Sequence, residues 1–131
     1  MTGNLPMRLG TAACLAVSGY VHAELYVHGY RVIPFVGPAF LVQAGGSFAI
    51  AVLLALGGPV LLRLAAAGLA LGALGGFAVS RTVGLFGFTE HGLQPAPEAL
   101  VSLLAEAAVL VLLGVSHLLA RRRRETPGAV A

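Results

Sequence analysis

The chain has 131 residues, 58% hydrophobic and 10% charged, with 18 Gly, one Cys, no Trp and a formal net charge of +3. A soluble domain carries roughly 25% charged residues, so there is too little polar material here to coat a water-exposed globule. Disorder needs low hydrophobicity and high net charge, and a disulfide scaffold needs more than the lone Cys14, which leaves an integral membrane protein.

Four apolar runs are long enough to cross a bilayer, since about 20 helical residues at 1.5 Å each cover ~30 Å of hydrocarbon. The first covers about 9–27 and is broken only near its end by His22 and Glu24. The second, 35–56, has no charged residue. Gly57, Gly58 and Pro59 then mark a turn, and the third run, 59–79, carries Arg63 in its first turns. The fourth, 98–120, follows Pro97 and ends in a basic tail, 121–131, that opens with Arg121, Arg122, Arg123 and Arg124. Backbone groups in lipid must pair within their own segment, and none of these runs alternates like a barrel strand. The expectation is therefore an all-α, four-helix transmembrane bundle forming a single membrane domain.

Arginine counting sets the orientation. With both termini cytoplasmic, Arg8, Arg63 and the four tail arginines lie inside, against Arg31 and Arg81 outside, as the positive-inside rule requires. Ala23 to Pro34 and Ser80 to Ala96 then form the outer loops. Arg8, the stretch Leu9 to Val21 and the small residue Ala23 also have the layout of a cleavable signal peptide; cleavage would leave three spans. The tail has no interleaved aromatics and follows an apolar span, which excludes a nucleic-acid face and makes anionic lipid its partner.

Periodicity assigns an inward face to three of the spans. Thr11, Cys14, Ser18 and His22 fall within an arc of about 80° at 100° per residue, and Glu98, Ser102, Glu106, Ser116 and His117 within about 100°. Gln43 and Ser47 share one side of the second helix. Such stripes face the bundle interior. Gly68, Gly72 and Gly76 recur every fourth residue on the third span, a small-xxx-small ridge expected to let a neighbouring backbone approach. Counted from the outer ends, Ser18, Gln43 and Glu106 share a depth of ~12–14 Å, with His22 and Ser102 slightly above.

Glu106 is the most informative residue. An acid at that depth costs on the order of 2.5–3.5 kcal/mol, so it must be paired, protonated or hydrated; hydrogen bonding to Gln43 or His22 is the first expectation. Glu24, His28, Arg81, Glu90, His91 and Glu98 belong to the outer rim, where imidazole and carboxylate are the donor types of a Zn or Cu(II) site, although their spacing matches no metal-ligand motif. A haem held by His22 and His117 is excluded, because the two lie roughly 20 Å apart by helix rise. The tyrosines and Phe35, Phe86 and Phe88 cluster toward the outer interface as an aromatic belt. The loop from Ser80 to Glu90 mixes glycines with bulky apolar residues, a composition suited to a cap over the polar layer.

That loop, the helix carrying Glu106 after it and His22 before it together resemble small four-helix integral membrane proteins of actinobacteria, a group without an assigned activity. The resemblance covers most of the chain from His22 to about Leu113 and implies four spans in a bacterial inner membrane, with no substrate. It departs where a Pro commonly follows the Gly-Leu pair of that loop, for which this chain has Phe86. Together these readings favour a non-catalytic binding or accessory membrane protein, whose outer pocket of Ser18, His22, Gln43, Ser102 and Glu106 holds a proton, metal ion or small ligand. The alternatives are a proton-coupled transporter or channel subunit titrating at Glu106, working as a homo-oligomer, and a structural subunit whose stripes meet a partner membrane protein.

Overall fold

The computed structural model describes residues 5–126, so the last five residues of the basic tail lie outside the described residues. Within it the chain forms four helices, α1 (Leu5–Val27), α2 (Val36–Leu56), α3 (Val60–Ser80) and α4 (Glu98–Glu125), with a single 3-10 turn at Tyr30–Val32 between α1 and α2. Pro59 caps α3 and Pro97 caps α4, positions where the missing proline N–H costs no intrahelical bond.

α2, α3 and α4 are long and apolar enough to cross a membrane. α1 is 23 residues long, but Arg8, Glu24, the polar stripe of Thr11, Ser18 and His22, and its two glycines leave it outside that set. The basic run does not begin a separate tail: α4 continues through Arg121–Arg124 to Glu125. At 1.5 Å per residue it measures about 42 Å, longer than ~30 Å of hydrocarbon. The arginines, all exposed, also oppose the negative end of the helix dipole.

The helices form a ring in which α1 packs against α2 and α4, and α3 closes it from the far side. The tightest seam is α1 on α2. It closes at Gly19, where an added Cβ would stand 3.2 Å from Ser47 Cβ and 3.3 Å from the Ala44 carbonyl oxygen. The core is Ala12, Leu15, Ala51, Leu54, Ala66, Ala70 and Val109, in the half of the bundle nearer the termini. Alanine on α2 and α3 lets the larger Leu15, Leu54 and Val109 interdigitate, which is the packing that replaces a hydrophobic driving force inside lipid.

α3 corrects an expectation. Gly68, Gly72 and Gly76 do not form a close-packing ridge, for a Cβ at any of them would meet nothing within 4 Å. The intimate approach is at Gly19 and at Gly46, where Leu69 lies 3.2 Å from the Cβ position. Gly19→Leu should therefore destabilise the bundle by about 1–3 kcal/mol through overpacking, whereas Gly68→Leu should change it by less than about 0.5 kcal/mol. Reversible unfolding in detergent micelles compares the two, and equal losses would mean that Gly19 does not mark the seam.

Candidate functional site

Above the core the ring opens. α3 contributes only Ala66, Ala70 and Ser80 to the buried set, and toward its C-terminal end it leaves a cavity of about 370 Å³ between all four helices. Gly72, Ala73 and Gly76 line the α3 wall, so the glycines serve as missing side chains that make room. The volume falls within the range of pockets that bury small organic ligands.

The floor is polar and comes from two helices. Glu106 is 2% exposed, and its Oε1 accepts hydrogen bonds from Ser18 Oγ at 2.9 Å and Ser102 Oγ at 2.8 Å. Periodicity explains the arrangement: Ser102 sits one turn before Glu106 on α4, and Ser18 faces them from α1. His22 Nδ1 donates to the Ser18 carbonyl at 2.9 Å and lies 4.0 Å from Glu106 Oε1. A carbonyl only accepts, so the Nδ1 proton is fixed and the tautomer with it. Both serines use Oε1; no hydrogen bond from a described residue reaches Oε2.

Gln43 is at the expected level but is differently employed. It lines the cavity while its Nε2 donates to the Leu69 carbonyl on α3 at 3.1 Å, and so ties α2 to α3 below the opening. Neither Gln43 nor His22 supplies the hydrogen bonds to Glu106; the two serines do. Ser47, placed with Gln43 on one polar side by spacing, is sealed in the α1–α2 seam, and its hydroxyl has no partner among the described residues.

The roof is the α3–α4 connection. Leu85 and Phe88 exchange backbone hydrogen bonds of 2.8 and 2.9 Å around Phe86 (φ 51°) and Gly87 (φ 81°), the positive angles of a type I′ hairpin turn. A proline, locked near −65°, cannot occupy position 86 in this turn. Phe86 pays a steric cost there and stacks its ring 4.9 Å from that of Phe35, the other non-glycine residue at positive φ among the described residues (φ 63°). Arg81 clamps the connection: it donates to the carbonyls of Gly92 and Gln94 and to Ser80 Oγ, pairs with Glu90 at 3.0 Å, and places its guanidinium 3.8 Å over the Phe77 ring. Tyr30 donates to Glu90 and stacks on Phe40 at 4.6 Å. Burial, reinforced by the neighbouring Glu90 carboxylate, holds the Tyr30 phenol well above its usual pKa, so it remains a donor.

The rim residues divide. Arg81 and Glu90 belong to the cavity roof, while Glu24 and His28 pair with each other at 2.9 Å on an exposed surface. His91 is exposed, and Glu98 is partly so. Among the described residues no three His, Cys, Asp or Glu side chains gather where a metal ion could be held. Tyr30, Phe40 and Phe77 are lining residues that the sequence placed in an aromatic belt or passed over; nothing in their spacing separates a cavity wall from an interface anchor.

Neither a family model, nor a curated protein, nor a solved structure matches this chain. Function rests on the site itself.

Each serine should be worth about 1 kcal/mol of stability, so Ser18→Ala and Ser102→Ala should each lower the unfolding free energy by that amount. In a Glu106→Leu background the same changes should cost close to nothing. The double-mutant cycle in detergent checks this coupling, and unchanged costs without the carboxylate would dissociate the serines from it.

Proposed function

We propose that this chain is a four-span inner-membrane protein, both termini cytoplasmic, that binds a small, mostly apolar molecule bearing a cationic or hydrogen-bond-donating group in the cavity beneath its outer loops. The observation that carries the reading is a cavity of about 370 Å³ with a buried carboxylate in its wall, one oxygen of which is already fixed by two serines while the other has no donor among the described residues. A buried carboxylate in a mostly apolar recess, whose other charges, Arg81 and Glu90, are paired with each other, can orient a lipophilic ligand. The exposed wall at Gly72 offers access from the bilayer.

Four spans are supported by three helices apolar enough to cross unaided, and by α1 closing the ring with its polar face turned inward. The arginine distribution supports the orientation, with six on the terminal side and two on the loop side. Conduction is disfavoured: beneath Glu106 the bundle is filled by Leu15, Leu54 and Val109, each at most 1% exposed, and Ser47, sealed in the α1–α2 seam, has no hydrogen-bond partner among the described residues.

Two experiments test these statements. A fluorescent lipophilic amine should bind the detergent-solubilised protein saturably, and Glu106→Leu should weaken it tenfold or more, the worth of a charge-assisted hydrogen bond. Gly72→Leu, which fills the cavity without touching the carboxylate, should weaken it as well. A carboxylate of the same size should not bind; equal uptake of amine and acid would refute the role of Glu106. For topology, in a Cys14→Ser background, Val83→Cys should react with an impermeant maleimide in intact cells, and Arg122→Cys only after permeabilisation.

A further inference from the structure

The opposite end of the bundle, where the α2–α3 turn meets the first turn of α1, gathers positive charge with no paired carboxylate among the described residues. Arg8 lies on α1 and Arg63 on α3. A Cβ built on Gly58 would stand 2.9 Å from Arg8 Cδ and 3.6 Å from Arg63 Nη2, so the two side chains converge over one glycine. Both line a small recess with Thr11, Leu54, Leu113 and Ser116.

Among the described residues neither arginine has a carboxylate within ion-pair distance. Arg8 Nε is buried and has no hydrogen-bond partner. The first turns of α1 and α3 contain no acid, and both helices direct the positive ends of their dipoles to this face. Guanidinium cannot shed its proton, and two such charges at the edge of a low-dielectric region repel strongly. Their convergence over Gly58 is stable when an anion is shared between them.

We propose that Arg8 and Arg63 form a binding site for a phosphate group at the bilayer surface, either the diester of an anionic phospholipid headgroup or a free phosphate. The guanidinium fork matches phosphate oxygens in pairs. The recess measures about 10 Å³, room for a single oxygen-sized atom, so the phosphate sits at its mouth with one oxygen turned inward. This site is distinct from the exposed run Arg121–Arg124 at the end of α4, which offers diffuse attraction rather than a formed cradle.

The test uses the full chain purified in a neutral detergent, with thermal unfolding followed as phosphatidylglycerol, phosphatidylcholine or inorganic phosphate is added. A ligand that binds only the folded state raises the midpoint by mass action. Phosphatidylglycerol should raise it saturably and phosphatidylcholine should not. In Arg8→Gln/Arg63→Gln the half-saturating concentration should rise tenfold or more, while replacing all four of Arg121 to Arg124 by Gln should leave most of the response. Saturation by inorganic phosphate alone identifies a free phosphate as occupant, and a response restricted to phosphatidylglycerol identifies the headgroup.

Should the double variant fail to fold, Arg63→Gln alone supplies the same readout. Without any phosphate it should unfold no earlier than wild type, since it relieves repulsion, whereas an arginine with a purely structural role would be missed. The proposal is overturned if the double or single variant responds like wild type, if phosphatidylcholine matches phosphatidylglycerol, or if only the tail variant loses the effect.

Discussion

A carboxylate enclosed by apolar helices has no water to satisfy it, and the bundle must supply donors from more than one element. Glu106 obtains them from Ser102 on its own helix and from Ser18 on α1. The second bond fixes the rotation of α1 about its axis. With Ser18 turned to α4, Gly19 faces α2 and permits the close seam, and His22, one turn further, is delivered to the cavity. Reversing that rotation would turn Ser18 and His22 away from the bundle interior and leave Glu106 with Ser102 as its donor.

The cavity follows from the same constraint acting on α3. That helix has no polar side chain between Arg63 and Ser80, and therefore nothing to contribute to the network around Glu106. It is held instead by Gln43, which reaches its backbone at Leu69, and by alanines in the lower core. Above that tether the glycines present no side chains, and the space is enclosed from the top by the clamped connection of Arg81, Glu90 and Tyr30. The recess thus has a rigid floor, where two helices are hydrogen-bonded together, and a roof built on a loop.

Helix positions were legible because hydropathy and proline placement report directly on them: the second, third and fourth runs match α2, α3 and α4 to within a residue at their starts. A 100° period and a 1.5 Å rise translate position into face and depth, which put Ser18, Gln43 and Glu106 at one depth with His22 and Ser102 slightly above, and Ser18 and Ser102 do meet Glu106. Which partner each would choose was not legible. Gln43 had the right depth, yet a long amide can reach a helix backbone as easily as a carboxylate, and spacing does not rank the two. Glycines at every fourth residue are equally ambiguous, because the same pattern serves a tight crossing or an absent wall. The hairpin roof was hidden for a further reason: it places Phe86, a residue that disfavours positive φ, where turn chemistry would ask for Asn or Gly.

The distribution of polar groups has a consequence for what Glu106 can do. Its network is confined to the loop end, the arginine pair to the opposite end, and between them Leu15, Leu54 and Val109 fill the bundle, while Ser47, sealed in the α1–α2 seam, has no hydrogen-bond partner among the described residues through which a chain could continue. Under the proposed function, a proton or cation received by Glu106 would leave by the route it came, through the cavity. Such a site equilibrates with one side only. In the proposed orientation it would respond to what the outer leaflet or the outer solution offers, and a gradient across the membrane would do no work on it. This asymmetry is what separates a binding site from a transport pathway built of the same residue types.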